Sequence, residues 1–137
     1  GFFFEWGGDD LFSPPHSLAW VTDLGYAPEL VREKISKASI LVIEANHDAG
    51  MLERDPRRPW SLKQRIRGRH GHLSNGATLE LLRSVESPNW KEIYLVHLSK
   101  DCNDVNLVRN SFTGFSGNGG TLATYVVDPT TAEAIPA

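Results

Sequence analysis

Ile40-Leu41-Val42-Ile43-Glu44-Ala45-Asn46-His47-Asp48 joins four consecutive aliphatic residues to a run of polar and titratable ones. An uninterrupted β-branched and aliphatic run reads as a strand buried on both faces, the kind found in parallel sheets covered by helices. Outward toward the N-terminus, Pro28 starts a helix. Its apolar stripe of Leu30, Val31, Ile35 and Ala38 runs through about Lys37. Before it, Ser17–Thr22 (SLAWVT) reads as a strand ending at Asp23-Leu24-Gly25, and the aromatic Gly1–Trp6 is β-prone and followed by a Gly7-Gly8-Asp9-Asp10 turn.

Toward the C-terminus a loop carries Asn46-His47-Asp48. Pro59–Arg67 is expected as a short helix, and Gly68–Ser74 (GRHGHLS) as a loop. Asn75, or Ser74 before it, can cap a helix to about Val85. Glu92–His97 (EIYLVH) is a second apolar strand ending in polar residues. Asp104–Ser111 is a further helix, Gly114–Gly120 a loop, and Thr121–Val127 a last strand. Strands alternating with helices predict an α/β layered domain over residues 1–127, and residues 128–137 read as a C-terminal tail.

The 137 residues are 40% hydrophobic and 23% charged, with mean hydropathy −0.30, so one globular domain is expected and a disordered chain is excluded. No apolar run approaches the roughly 18 residues of a membrane span, and no charged-then-apolar leader is readable at the N-terminus. The single cysteine, Cys102, excludes an internal disulfide framework and fits a reducing, cytoplasmic setting. As a side chain it reads as a buried thiol rather than a metal ligand.

Net charge is −3, but its distribution is uneven. Arg54–Arg69 holds seven basic residues against Asp55, a net +6, while the remainder holds seven basic and sixteen acidic residues, a net −9. Such a block can focus a field on a phosphate-bearing ligand, or it can be a solvated helix face. Lys63, Arg65 and Arg67 are its candidate nucleic-acid contacts. Lys63 and Arg67, four apart, share a helix face that Arg65 does not, so part of the block is structural or solvated.

In open α/β sheets, chemistry gathers beyond the carboxyl ends of strands. Asp23, Glu44 to Asp48, and His97 follow three such ends, and the loop with His72 offers a fourth group. Asp, Glu and His on one rim suit a borderline divalent metal such as zinc or manganese. Singly, an Asp there also reads as a helix cap and a His as an ordinary hydrogen-bonded residue.

As strings, Thr22-Asp23-Leu24-Gly25, Glu44-Ala45-Asn46-His47-Asp48, Met51-Leu52, Pro59-Trp60-Ser61-Leu62-Lys63-Gln64-Arg65-Ile66, Gly71-His72-Leu73-Ser74-Asn75 and His97-Leu98-Ser99-Lys100-Asp101-Cys102-Asn103 follow one another in order. Over about Gly1–Asn110 this resembles the C-terminal half of a metallo-β-lactamase-fold hydrolase of the YycJ/WalJ-type group, similar to ribonuclease Z. The resemblance implies half of an αββα sandwich and a cytoplasmic phosphodiesterase or nuclease using two divalent metal ions, zinc or manganese. Asp23 is then the bridging aspartate and His97 the last metal-binding histidine. His72 is the proton donor to the leaving group, with Glu44 orienting its ring. His47 and Asp48 line the site or brace their loop.

The resemblance also implies an N-terminal HxHxDH motif, whereas the five histidines here (His16, His47, His70, His72 and His97) lack that context. The chain then begins just after the third-motif ligand. It is expected to be inactive alone, and to self-associate or need its missing half, because Phe2, Phe4, Trp20 and the ILVI strand lose their cover. Other readings are a hydrolase of another ester, cyclic nucleotide or amide, or a non-catalytic half-domain binding nucleic acid or a protein partner.

Overall fold

Six strands form one sheet in chain order: β1 (Phe2–Trp6), β2 (His16–Val21), β3 (Ile40–Glu44), β4 (Glu92–Val96), β5 (Ala123–Val127) and β6 (Ala134–Pro136). Strands β2 to β5 are parallel, and β1 and β6 close the two edges antiparallel. The computed structural model describes residues 1–8, 15–116 and 122–137. Asp9 and Asp10 of the expected first turn, residues 117–120 of the glycine-rich loop and Thr121 lie outside them.

Among the described residues five helices lie in the connections: α1 (Glu29–Lys37), α2 (Ala49–Arg54), α3 (Trp60–Arg67), α4 (Asn75–Arg83) and α5 (Val105–Phe112). Parallel crossovers share one hand, so a strand order that never reverses sends every helix to the same face of the sheet. Burial agrees. Ala19, Val21, Leu41, Ile43, Ile93, Leu95 and Val126 are closed into one core with Ile35, Leu81, Leu82, Val108 and Phe112 from the helices. Trp90 joins them, its indole N–H donating to the Ile35 carbonyl at 2.6 Å.

Among the described residues no helix covers the opposite face. Alternate residues in register form one row across all six strands: Phe2, Trp20, Val42, Tyr94, Tyr125 and Pro136. Phe2 is 68% exposed, and Phe4, Trp6 and Trp20 are also exposed. Tyr94 and Tyr125 stack at 5.2 Å between centroids. The expected apolar face is therefore present at Phe2, Phe4 and Trp20. The ILVI strand contributes less to it, because Leu41 and Ile43 enter the core and Val42 is itself buried. A sheet covered by helices on one side and bare on the other is half of an αββα arrangement.

Three local points gain detail. Residues 128–137, read as a tail, carry edge strand β6. Val126 pairs with Ile135, Asp128 and Glu133 close the turn, and the Arg109 side chain holds the Pro136 carbonyl at 2.9 Å. Pro136 lacks an N–H and so suits an edge strand. The segment after His47 is helix α2, capped by Asp48, whose carboxylate accepts the Met51 N–H at 2.8 Å. The cap of α4 is Ser74, accepting from Ala77 at 3.1 Å, while Asn75 makes paired amide bonds at 2.9 Å with Asn103. Among the described residues no helix is long and apolar enough to cross a membrane.

Candidate active site

Glu44 ends β3 fully buried, and its carboxylate organises the rim. One oxygen accepts the Leu24 and Leu73 backbone N–H groups at 2.8 and 3.0 Å. The other meets the Asp23 N–H at 3.2 Å and Nδ1 of both His72 and His97 at 3.1 Å. A buried carboxylate is tolerated only where its lone pairs are filled, and here five donors from three separate loops fill them. Its own carbonyl accepts from Thr78 Oγ1 at 2.7 Å.

This arrangement fixes both imidazoles. A carboxylate accepts, so each ring presents Nδ1–H to Glu44 and leaves Nε2 unengaged by it. The rings meet edge to face, 5.2 Å apart. Asp23 Oδ1 lies 3.7 Å from His72 Nδ1, and ligand atoms of Asp23, His72 and His97 lie within 4.8 Å of one another. Asp23 and His97 each follow a strand end in the left-handed region, at φ 59° and 61°. Asp and His are among the residues that adopt this region most readily, and the turn there swings both side chains back over Glu44.

Asn46 ties the rim together from behind. Its N–H donates to the Leu73 carbonyl at 3.0 Å, its amide donates to the His97 carbonyl at 2.8 Å, and its carbonyl accepts from Ser99 at 2.7 Å. It thus touches the segments bearing both histidines. Gly25 permits the close approach of the Asp23 and His72 loops, since a Cβ there would collide with the Gly68 carbonyl. His47 is buried with Nδ1 unpartnered. Burial, then the charges of His72 and Arg67, push its pKa down to about 4, so it is neutral at physiological pH.

The basic block is largely spoken for. Arg57 and Arg58 pair with Asp101 at 3.1 and 2.9 Å, and both also reach the buried Asp55. Asp55 has its pKa lowered to about 2, first by the Arg57 backbone N–H and then by both guanidinium groups. Lys63 donates to the Glu53 carbonyl at 2.6 Å and Arg67 to the Glu53 carboxylate. Lys63 and Arg67 therefore share the α3 face turned to α2, while Arg65 is exposed. Cys102 is buried beside Asp55 at 3.6 Å, and burial pushes its thiol pKa up.

Asp23, Glu44, His72 and His97, each expected at the rim, thus lie together, while Lys63, Arg65 and Arg67 lie on α3. Asn46 and Asn103 were given no role by sequence reasoning, and Asn75 was read only as a candidate helix cap. Asn103 also donates to the Ala45 carbonyl at 2.8 Å. Their signal was position, since Asn46 directly follows the ILVIEA run and Asn103 closes the HLSKDCN string.

Exodeoxyribonuclease YycJ of Bacillus anthracis is 42% identical over 118 residues, covering 82% of this chain and 44% of the relative. The chain is a partial relative of the YycJ/WalJ exodeoxyribonucleases. Exodeoxyribonuclease WalJ of Streptococcus pneumoniae is 35% identical over 121 residues, covering 85% of this chain and 45% of the relative. The chain therefore spans less than half the length of these relatives. No family model matches it.

Proposed function

We propose that this chain carries part of the active site of a metal-dependent phosphodiesterase acting on DNA. The observation that supports this reading is the convergence of Asp23, His72 and His97 on the single carboxylate of Glu44. The relatives' names add the substrate class. The donor set fits a borderline divalent metal such as zinc or manganese: one carboxylate, and imidazoles whose Nδ1 is engaged by a carboxylate while Nε2 remains. Asp23 and His97 are the residues that would hold it. When bound, divalent metals supply Lewis acidity and a nucleophilic water near neutral pH.

The remaining groups divide the work. With its Nδ1–H held by Glu44, the His72 ring donates a proton carried on Nε2 to the departing alkoxide, and Glu44 keeps that ring in one orientation. Glu44 touches no substrate and is a positioning residue. Among the described residues Asp23 and His97 alone would give fewer protein ligands than catalytic zinc ordinarily has, so further ligands would have to be supplied.

The test is calorimetric titration of the chain with zinc and manganese after chelation, beside hydrolysis of bis(p-nitrophenyl) phosphate. Weak metal binding without turnover is expected. Asp23→Asn and His97→Ala should weaken binding at least about tenfold, and His72→Ala should leave it nearly unchanged. In the assembled enzyme, His72→Ala should slow a poor alkoxide leaving group by about 10²- to 10⁴-fold. Loss of metal in His72→Ala would make it a ligand instead of an acid. No metal binding by the parent chain would overturn the reading.

A further inference from the structure

We propose that Tyr26 and Arg69 form a stacking subsite for an unpaired nucleobase of a DNA strand, beside the Asp23–His72–His97 cluster. This rests on the phosphodiesterase reading above and deepens it. The Arg69 guanidinium lies over the Tyr26 ring, 4.7 Å from its centroid, and Tyr26 is 46% exposed. Tyr26 follows Asp23 by three residues and Arg69 precedes His72 by three, so both belong to the loops that bear the candidate site.

Those loops are locked to one another. Gly25 packs on the Gly68–Gly71 backbone with no room for a Cβ. Gly71 N–H donates to the Gly68 carbonyl at 2.9 Å, and His72 N–H to the Ile66 carbonyl at 2.8 Å. A ring and a guanidinium carried three residues from the cluster on either side therefore keep a fixed relation to it. Next to Tyr26 opens a cavity of about 330 Å³, floored by Leu73, Ala77 and Leu81 and reaching Arg32. It offers an apolar floor for a base, with Arg32 and Glu80 both on its walls.

Arg69 also differs from its neighbours in charge. Arg57, Arg58 and Arg67 are neutralised by Asp55, Asp101 and Glu53. Among the described residues no carboxylate pairs with Arg69, which spends its planar face on Tyr26 and keeps its charge for a phosphate. Aromatic rings and guanidinium planes are the surfaces on which unpaired bases stack, because every base has a π-face.

The experiment is fluorescence anisotropy of a fluorescein-labelled oligothymidylate with the 137-residue chain, in EDTA at low salt, with circular dichroism confirming that each variant folds. Tyr26→Ala should weaken binding about 5- to 100-fold, as stacked bases generally require, while Tyr26→Phe retains it. Arg69→Ala should weaken binding and lower the salt slope by about 0.7, the loss of one phosphate contact. Trp20→Ser, on the bare sheet face, should stay within about twofold of the parent, since that ring lies outside the subsite. Equal binding by Tyr26→Ala and the parent would overturn the subsite while leaving the DNA reading standing, and so would a larger loss from Trp20→Ser. No binding by the parent would overturn both.

Discussion

The two faces of the sheet carry equally apolar residues and meet opposite fates. Ile93 and Leu95 on one face of β4 are fully closed under helices, while Tyr94 between them lies in a row that runs to exposed Trp20 and Phe2. Apolar sequence therefore does not decide burial here. Topology does, because one-handed crossovers on an unreversed strand order send the described helices to one face and leave the other without them. The relatives have more than half their length outside the matched region.

The sharpest way to break the comparison is to truncate a side chain on each face. Ile93→Ala should cost about 2–5 kcal/mol in urea unfolding, because it empties a fully packed site. If it costs no more than a surface change, the helix-covered core is not the one described.

A second measurement uses pH. His47 has a folded pKa near 4 against an ordinary value of 6.5, so between these the unfolded chain binds the proton that the folded chain refuses. Stability should be complete above pH 6.5 and fall as pH drops toward 4, by an amount on the order of 3 kcal/mol. Urea midpoints across that window in the parent and in His47→Gln check it, and the variant's loss should be smaller. An equal loss in both would assign the acid sensitivity elsewhere. Asp55, whose pKa is near 2, adds its own loss only below pH 4.

Asn46→Ala should cost about 1–2 kcal/mol through the lost bond to the His97 carbonyl. It should also loosen the left-handed turn at His97 while the core stays intact. Histidine ring signals in NMR read this directly, and an unchanged His97 environment would remove Asn46 from the positioning role.

The smallest effect belongs to the bare face. Trp20→Ser should move stability of the monomer by no more than about 0.5 kcal/mol. It should nonetheless reduce self-association in light scattering, since contiguous exposed aromatics drive association. A parent chain that stays monomeric at high concentration would refute self-association through this face.

Much of the fold was legible because its signals are local. ILVI and EIYLV announce buried strands by composition, and Pro28 and Pro59 announce helix starts by their geometry. Helix α2 was hidden because Gly50 and a short polar length give no periodicity, although Asp48 stood at its cap. β6 was hidden because three residues between prolines and threonines carry no pattern, and only pairing to β5 defines them. At the rim, residue types at strand ends pointed to Asp23, Glu44, His72 and His97. That one carboxylate serves both histidines is a three-dimensional fact with no trace in spacing. The pairing of the charge block was hidden for the same reason: its partners Glu53 and Asp101 lie outside the window that was counted.

The unreversed strand order also sets a schedule. Each strand pairs with the one made just before it, so the sheet can grow in the direction of synthesis with modest loop-closure cost. The longest connection between neighbouring strands, residues 45–91, separates β3 from β4 and carries His72. Asp23 and Glu44 are thus in place while the histidines are still being delivered, and the cluster comes into being only when β4 seats. A nascent chain interrupted before residue 97 has a sheet under construction and no site at all.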